Sequence, residues 1–186
     1  MMTWLRENRY AAVLLTFIRL YLGFNWMIHG WEKLTAATPF NAGGFLKNAV
    51  ANPVVDKATK ELIYPNFTAF IEHFALPNAK IFNFLIPLGE FLVGLGLILG
   101  ALTTAAMFFG LLMNFMFMFA GTVSTNPWMI MVGFIIFAAG ANAGRFGLDH
   151  YILPLIKKWT HHLFHKNDAG TKGKPIGGNP LERAAH

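Results

Sequence analysis

The chain has 186 residues, of which 55% are hydrophobic, 15% aromatic and only 13% charged, with a formal net charge of +6 and no cysteine. An ordinary soluble domain carries roughly a quarter charged residues, so this composition excludes a disordered chain and argues against a soluble enzyme. Without cysteine there are no disulfides, thiolate metal sites, iron–sulfur clusters or redox thiols.

The mean hydropathy is +0.45, and the apolar residues fall in blocks too long for a small globular core. A helix needs about 20 mostly apolar residues to cross the hydrocarbon layer. Four segments meet that length: residues 10–34, 81–102, 104–123 and 128–146. The first is too long for a signal peptide and carries Arg19 inside it, so it is read as a retained span. Short links join the second, third and fourth, with Pro127 suited to a first helical turn, which makes these three antiparallel neighbours. The fold class expected is all-α, an integral membrane four-helix bundle with an outer loop carrying short amphipathic helices.

Between the first two spans lies a loop of about 46 residues. Within it, residues 65–76 (PNFTAFIEHFAL) read as a short surface helix. After the four-span domain (1–152), residues 153–166 (LPLIKKWTHHLFHK) read as an interfacial amphipathic helix. Residues 167–186 are rich in Gly, Lys and Pro, and disorder is expected there. Eight basic residues flank the termini (Arg6, Arg9, Lys157, Lys158, Lys166, Lys172, Lys174, Arg183), against five in the loop (Lys33, Lys47, Lys57, Lys60, Lys80). The positive-inside rule then places both termini in the cytoplasm and the loop outside.

The informative residues are the polar ones inside the spans. Arg19 sits in the first and Glu90 in the second, where charges face the bundle interior and pair. If the span midpoints align, an Arg19–Glu90 ion pair is expected. At helical spacing, Arg19, Gly23, Trp26, Gly30 and Lys33 share one stripe. Asn83, Glu90, Gly94, Leu97 and Ala101 share another. Gly110, Asn114 and Gly121 line the third helix. Ala138, Asn142 and Asp149, with Arg145 nearby, line the fourth. Gly140 and Gly144 form a GxxxG packing step. The ion pair has two readings, a structural one that fixes helix register and a functional one in proton handling. His29 is read as snorkelling outward or as a ligand contact beside Trp26, Glu32 and Lys33. No carboxylate or cysteine completes a metal site around His161, His162 and His165. No histidine lies deep enough in the later spans to hold haem.

The stretch R-L-Y-L-G-F-N-W-M-I-H-G-W-E-K-L in the first span and L-G-E-F-L-V-G-L-G-L-I-L-G-A-L-T-T-A-A in the second resemble the paired signatures of the DoxX/DoxD family. Arg19, Gly23, Gly30 and Lys33 match the first motif; Glu90, Gly94 and Gly100 match the second. The resemblance covers about residues 10–147, and the long outer loop resembles the DoxD-like branch. It implies a small four-helix membrane protein, and by its namesake members a subunit of a thiosulfate:quinone oxidoreductase. On that reading Arg19 and Glu90 are the catalytic candidates, orienting quinone oxygens and moving protons. Trp26, His29, Lys33, Asn83, Asn114 and Asn142 are the substrate-binding candidates. Quinone is the expected cofactor, with no metal, haem or iron–sulfur cluster. The expected partners are the bilayer, membrane quinone and either a second subunit or further copies of the chain, with no nucleic acid. The alternative is a non-enzymatic scaffold, assembly partner or small-solute carrier.

Overall fold

The apolar blocks become helices because lipid offers backbone N–H and C=O groups no other partner. The computed structural model describes residues 2–165; the tail expected over 167–186 lies outside the described residues. A short α1, Met2–Glu7, precedes α2, Arg9–Thr35. Asn8 separates them, its side chain accepting from the N–H groups of Tyr10 (2.7 Å) and Ala11 (3.3 Å) as the N-cap of α2. The later blocks form α5 (Ala79–Leu99), α6 (Thr103–Phe119) and α7 (Asn126–Ala139). Three segments are long and apolar enough to cross a membrane, Arg9–Thr35, Ala79–Leu99 and Asn126–Gly144. The third expected span is shorter than its sequence block: α6 has 17 residues, about 26 Å of helix.

These four helices close a ring in which α2 packs on α5, α5 on α6, α6 on α7 and α7 back on α2. Leu15, Leu22, Trp26, Val93, Leu97, Met107, Leu111 and Ile136 fill its centre. The tightest seam is α2 against α5, and glycine makes it. A Cβ on Gly30 would strike the backbone of Phe91 and lie 2.8 Å from the Pro87 carbonyl oxygen. A Cβ on Gly94 would strike the Met27 backbone, and one on Gly23 would sit 2.9 Å from Ile98 Cγ1. Such small residues let helices approach without lipid between them. Gly30→Ala is therefore expected to cost about 1–3 kcal/mol, as overpacking does. Gly44→Ala, where a Cβ meets nothing within 4 Å, is expected to be neutral or stabilising. Unfolding in mixed micelles compares the two.

This seam corrects the expected Arg19–Glu90 pair. Gly30 opposite Phe91, Met27 opposite Gly94 and Gly23 opposite Ile98 define an antiparallel register. That register sets Glu90 level with residue 31, and so about a dozen residues, or about 18 Å along the axis, from Arg19. Aligning span midpoints misplaces both residues because α2 overhangs α5 at its N-terminal end.

The segment joining α2 to α5 forms a cap. It contains α3 (Ala42–Ala51) and α4 (Pro65–Phe70), which runs on as a π-helical turn, Ile71–Ala75. The helix expected over 65–76 is present, and α3 is an addition. Ala42, Leu46, Ala49, Ile71 and Ala75 bury together with Ala120. Phe45 meets Phe117 edge-on at 6.0 Å, and Tyr64 lies 4.5 Å from Phe119. In the hairpin between these helices the N–H groups of Thr59 and Ala58 hold the Asp56 carboxyl below the usual carboxylate range.

At the opposite end, the base, the fourth span is not one helix. Gly140 adopts φ 58°, which L side chains rarely take, and the chain continues as a 3-10 turn, Gly140–Gly144. This corrects the GxxxG reading, since a Cβ on Gly140 would meet nothing within 4 Å. The turn is polar for a reason. Asn142 Nδ2 donates to the carbonyls of Leu5 (2.9 Å) and Asn8 (3.0 Å), Arg145 Nη1 donates to Glu7 O (3.1 Å), and Arg6 Nε donates to Ala138 O (2.9 Å). Together they satisfy carbonyls that helix ends leave open.

The chain divides into two units, residues 1–152 and 153–186. The second begins inside α8, Asp149–His165. In it Leu155 and Trp159 are strongly exposed beside Lys157 and Lys158.

Candidate functional site

Lys33 lies in the last turn of α2, at the cap end, and a lysine stem is long enough to reach across to α5. Its Nζ donates to Glu90 Oε1 at 2.6 Å and Oε2 at 2.5 Å. Glu90 is 3% exposed and Lys33 32% exposed. The buried carboxylate is thus neutralised by a cation that keeps one side toward solvent. The ring of Phe40, from the cap, lies 5.7 Å from Nζ, a cation–π contact that holds the ammonium in place.

Two more polar groups share this layer. Trp26 is buried, and its Nε1 donates to no acceptor in the protein. It lies against Gly110, where a Cβ would sit 3.4 Å from it. Asn114, one turn further along α6, is 0% exposed, and neither its Oδ1 nor its Nδ2 has a protein partner. Gly89 faces Met113 across the α5–α6 seam, so Glu90 and Asn114 stand at nearly the same depth. Indole, amide and ion pair therefore fall within about two helical turns, roughly 11 Å of depth along the bundle. Leu111, Met107 and Val93 supply apolar surroundings. A buried polar group without a partner is costly in a protein interior and more so in lipid.

The remaining candidates are engaged elsewhere. Arg19 is at the base, 2% exposed, where Nη1 donates to Leu97 O at 2.7 Å. It covers the C-terminal carbonyls of α5, a favourable place for a cation. Gly100, at φ 62°, leaves room for the guanidinium that a Cβ would occupy. Asn83 Oδ1 accepts from Ala42 N at 2.7 Å and so anchors the start of α3. Asn142 is spent on the carbonyls of Leu5 in α1 and of Asn8 in the α1–α2 link. His29 is exposed, with Nδ1 4.0 Å from Glu32. The structure thus pairs Lys33 with Glu90, sets Trp26 and Asn114 within about two helical turns of that pair, and engages Arg19, Asn83 and Asn142 elsewhere, while the exposed His29 acts on Glu90 only electrostatically. Arg19 Nε and Thr103 Oγ1, the other unpartnered buried polar atoms among the described residues, also lie at the base.

One residue of consequence, read from the sequence only as part of the polar line of the fourth helix, takes a different part in the fold. The Asp149 carboxylate is buried and accepts from Leu102 N at 2.6 Å and Thr103 N at 2.9 Å, capping α6 from a distant part of the chain. It also attracts the Arg19 guanidinium electrostatically. The signal available was an acid set just beyond an apolar block, in G-R-F-G-L-D.

No curated protein and no solved structure matches the chain. The DoxX family model matches residues 14–124. That stretch holds Trp26, Lys33, Glu90 and Asn114 and stops short of the base turn with Asn142 and Asp149. The match covers more than half of the sequence, and its four layer residues sit in helices apolar enough for lipid: the chain belongs to the DoxX family of membrane proteins.

Proposed function

We propose that the chain is a quinone-linked oxidoreductase or its membrane subunit, acting on a small sulfur compound such as thiosulfate. The observation that carries this reading is the set Trp26, Glu90, Lys33 and Asn114, in which an ion pair and two buried polar side chains with no protein partner lie within about two helical turns of depth. Those groups fit a flat, largely apolar ring bearing oxygens: the indole N–H and the amide N–H donate, and the amide oxygen accepts. Bound there, a quinone supplies an acceptor for two electrons and two protons, matching the two electrons released when two thiosulfates join through a new S–S bond. The chain's part is to hold the ring between apolar side chains and to relay protons. Glu90 is the buried proton-carrying group, and Lys33, partly exposed, connects it to the cap side. The electrons reach the site from the sulfur compound directly or through a second subunit. Arg19 is read here as a positioning residue at the base.

The count of basic residues supports cytoplasmic termini in the cell membrane, with the cap and Lys33 outside. The exposed Leu155 and Trp159 among lysines support α8 as an interfacial helix.

The test is quinone reduction by the purified protein, alone and with co-purified subunits, using thiosulfate as donor. Glu90→Gln is expected to lower turnover about a hundredfold or more, the scale of a lost acid–base group. Undiminished turnover in the variant, or extracts holding phospholipid and no quinone, would favour the reading in which Lys33–Glu90 only fixes helix register in a scaffold.

A further inference from the structure

At the base, the apolar surface of α2 and α5 ends in a band of exposed aromatic residues, Trp4, Tyr10 and Tyr151. Such rings sit at the headgroup level of a membrane. At the same level a wide, open depression of about 710 Å³, a shallow cleft, lies between the start of α2, the end of α5 and the segment 145–151. Its floor is apolar, from Ile98, Leu99, Phe146 and Leu148, three of which (Leu99, Phe146 and Leu148) are exposed large hydrophobics. Its rim carries Arg9, Arg145 and His150. None of the cleft's lining residues is acidic. Arg145 uses Nη1 on the Glu7 carbonyl, which leaves most of its five N–H donors available. Among the described residues Arg9 and Arg145 form no salt bridge. The nearby Asp149 carboxylate is buried and committed to the N–H groups of Leu102 and Thr103.

We propose that this cleft is a binding site for one anionic glycerophospholipid, its phosphate between Arg9 and Arg145 and the start of its acyl chains on Leu99 and Phe146. Two arginines facing one apolar floor at headgroup depth match a ligand that is anionic at one end and hydrocarbon at the other. A free phosphate would satisfy the arginines and leave the floor in water; a zwitterionic lipid would cover the floor and gain little from two cations. The site lies at the end of the bundle opposite Lys33–Glu90 and is independent of the redox reading.

The test is native mass spectrometry of the full-length protein in detergent with added phosphatidylglycerol, phosphatidylcholine or inorganic phosphate, alongside thermal unfolding under the same additions. Phosphatidylglycerol is expected to remain bound as a single adduct and to raise the Tm, with phosphatidylcholine and inorganic phosphate doing neither. Arg9→Gln/Arg145→Gln is expected to lower phosphatidylglycerol occupancy about tenfold. Lys157→Gln/Lys158→Gln, which alters α8 instead, is expected to leave it unchanged. Arg9→Gln alone, at a side chain with no hydrogen bond or salt bridge to lose among the described residues, serves if the double variant fails to fold and is expected to lower occupancy severalfold. Equal retention of both lipids, equal protection by inorganic phosphate, or loss of the adduct only in the lysine variant would overturn the proposal.

Discussion

Lys33→Met is expected to destabilise the folded bundle by about 3–5 kcal/mol, the cost of leaving a buried charge without its partner. Glu90 is 3% exposed and both its oxygens accept from the same ammonium, so the substitution removes both hydrogen bonds of the carboxylate at once. The second half of the cycle is more telling. Lys33→Met/Glu90→Leu removes both charges and is expected to recover most of the loss, because apolar packing often matches a buried ion pair. Unfolding by SDS in mixed micelles reads both variants. If the two single losses simply add, the residues are not coupled. The double variant also separates the two functional readings. A folded, stable bundle with no quinone reduction assigns the pair to chemistry, whereas retained turnover assigns it to register alone.

Asp149→Ala is expected to cost about 3 kcal/mol, since it strands two backbone N–H groups at the start of α6, that of Thr103 fully buried. Two features add to the penalty. Leu102 stands at φ 50°, a left-handed conformation that L side chains hold at a cost, and the carboxylate is the tether that keeps it there. Arg19 also loses its nearest electrostatic compensation. Asp149→Asn keeps one acceptor and is expected to lose roughly half as much, guided by the same hydrogen-bond scale. Adding Leu102→Gly to it is expected to return about 1 kcal/mol by relieving the left-handed strain. Thermal unfolding followed by circular dichroism orders the three variants. Equal Tm values for the parent and Asp149→Ala would show that the remote cap contributes nothing.

Long apolar blocks made the four principal helices legible, because in lipid a helix is nearly the only way to satisfy the backbone. The glycines of α2 and α5 were legible as a packing face for the same geometric reason that they now set the register. Register itself was not. It depends on which glycine meets which backbone segment, and only Gly30 against Phe91 and Gly23 against Ile98 reveal that Arg19 stands near the α5–α6 turn. Lys33 was visible as a basic residue at the rim, but its partner follows from that register alone. Asn142 and Asp149 lay on the polar line of a continuous fourth helix. The left-handed Gly140 breaks that helix and turns both toward backbone groups. The cap helix α3 was hidden by Gly43 and Gly44, although Ala42, Leu46 and Ala49 carry the i, i+4, i+7 pattern.

The brevity of α6 has a mechanical consequence for the surrounding lipid. At about 26 Å it falls some 4 Å short of a ~30 Å hydrocarbon layer. Where α6 crosses the membrane with its neighbours, the leaflets would pinch toward it, at a fraction of a kcal/mol for each ångström of mismatch. The bilayer would then be thinnest along the outward flank of α6, where Phe108, Phe109, Leu112 and Met116 are exposed, and the protein would concentrate in short-chain or thin membrane regions.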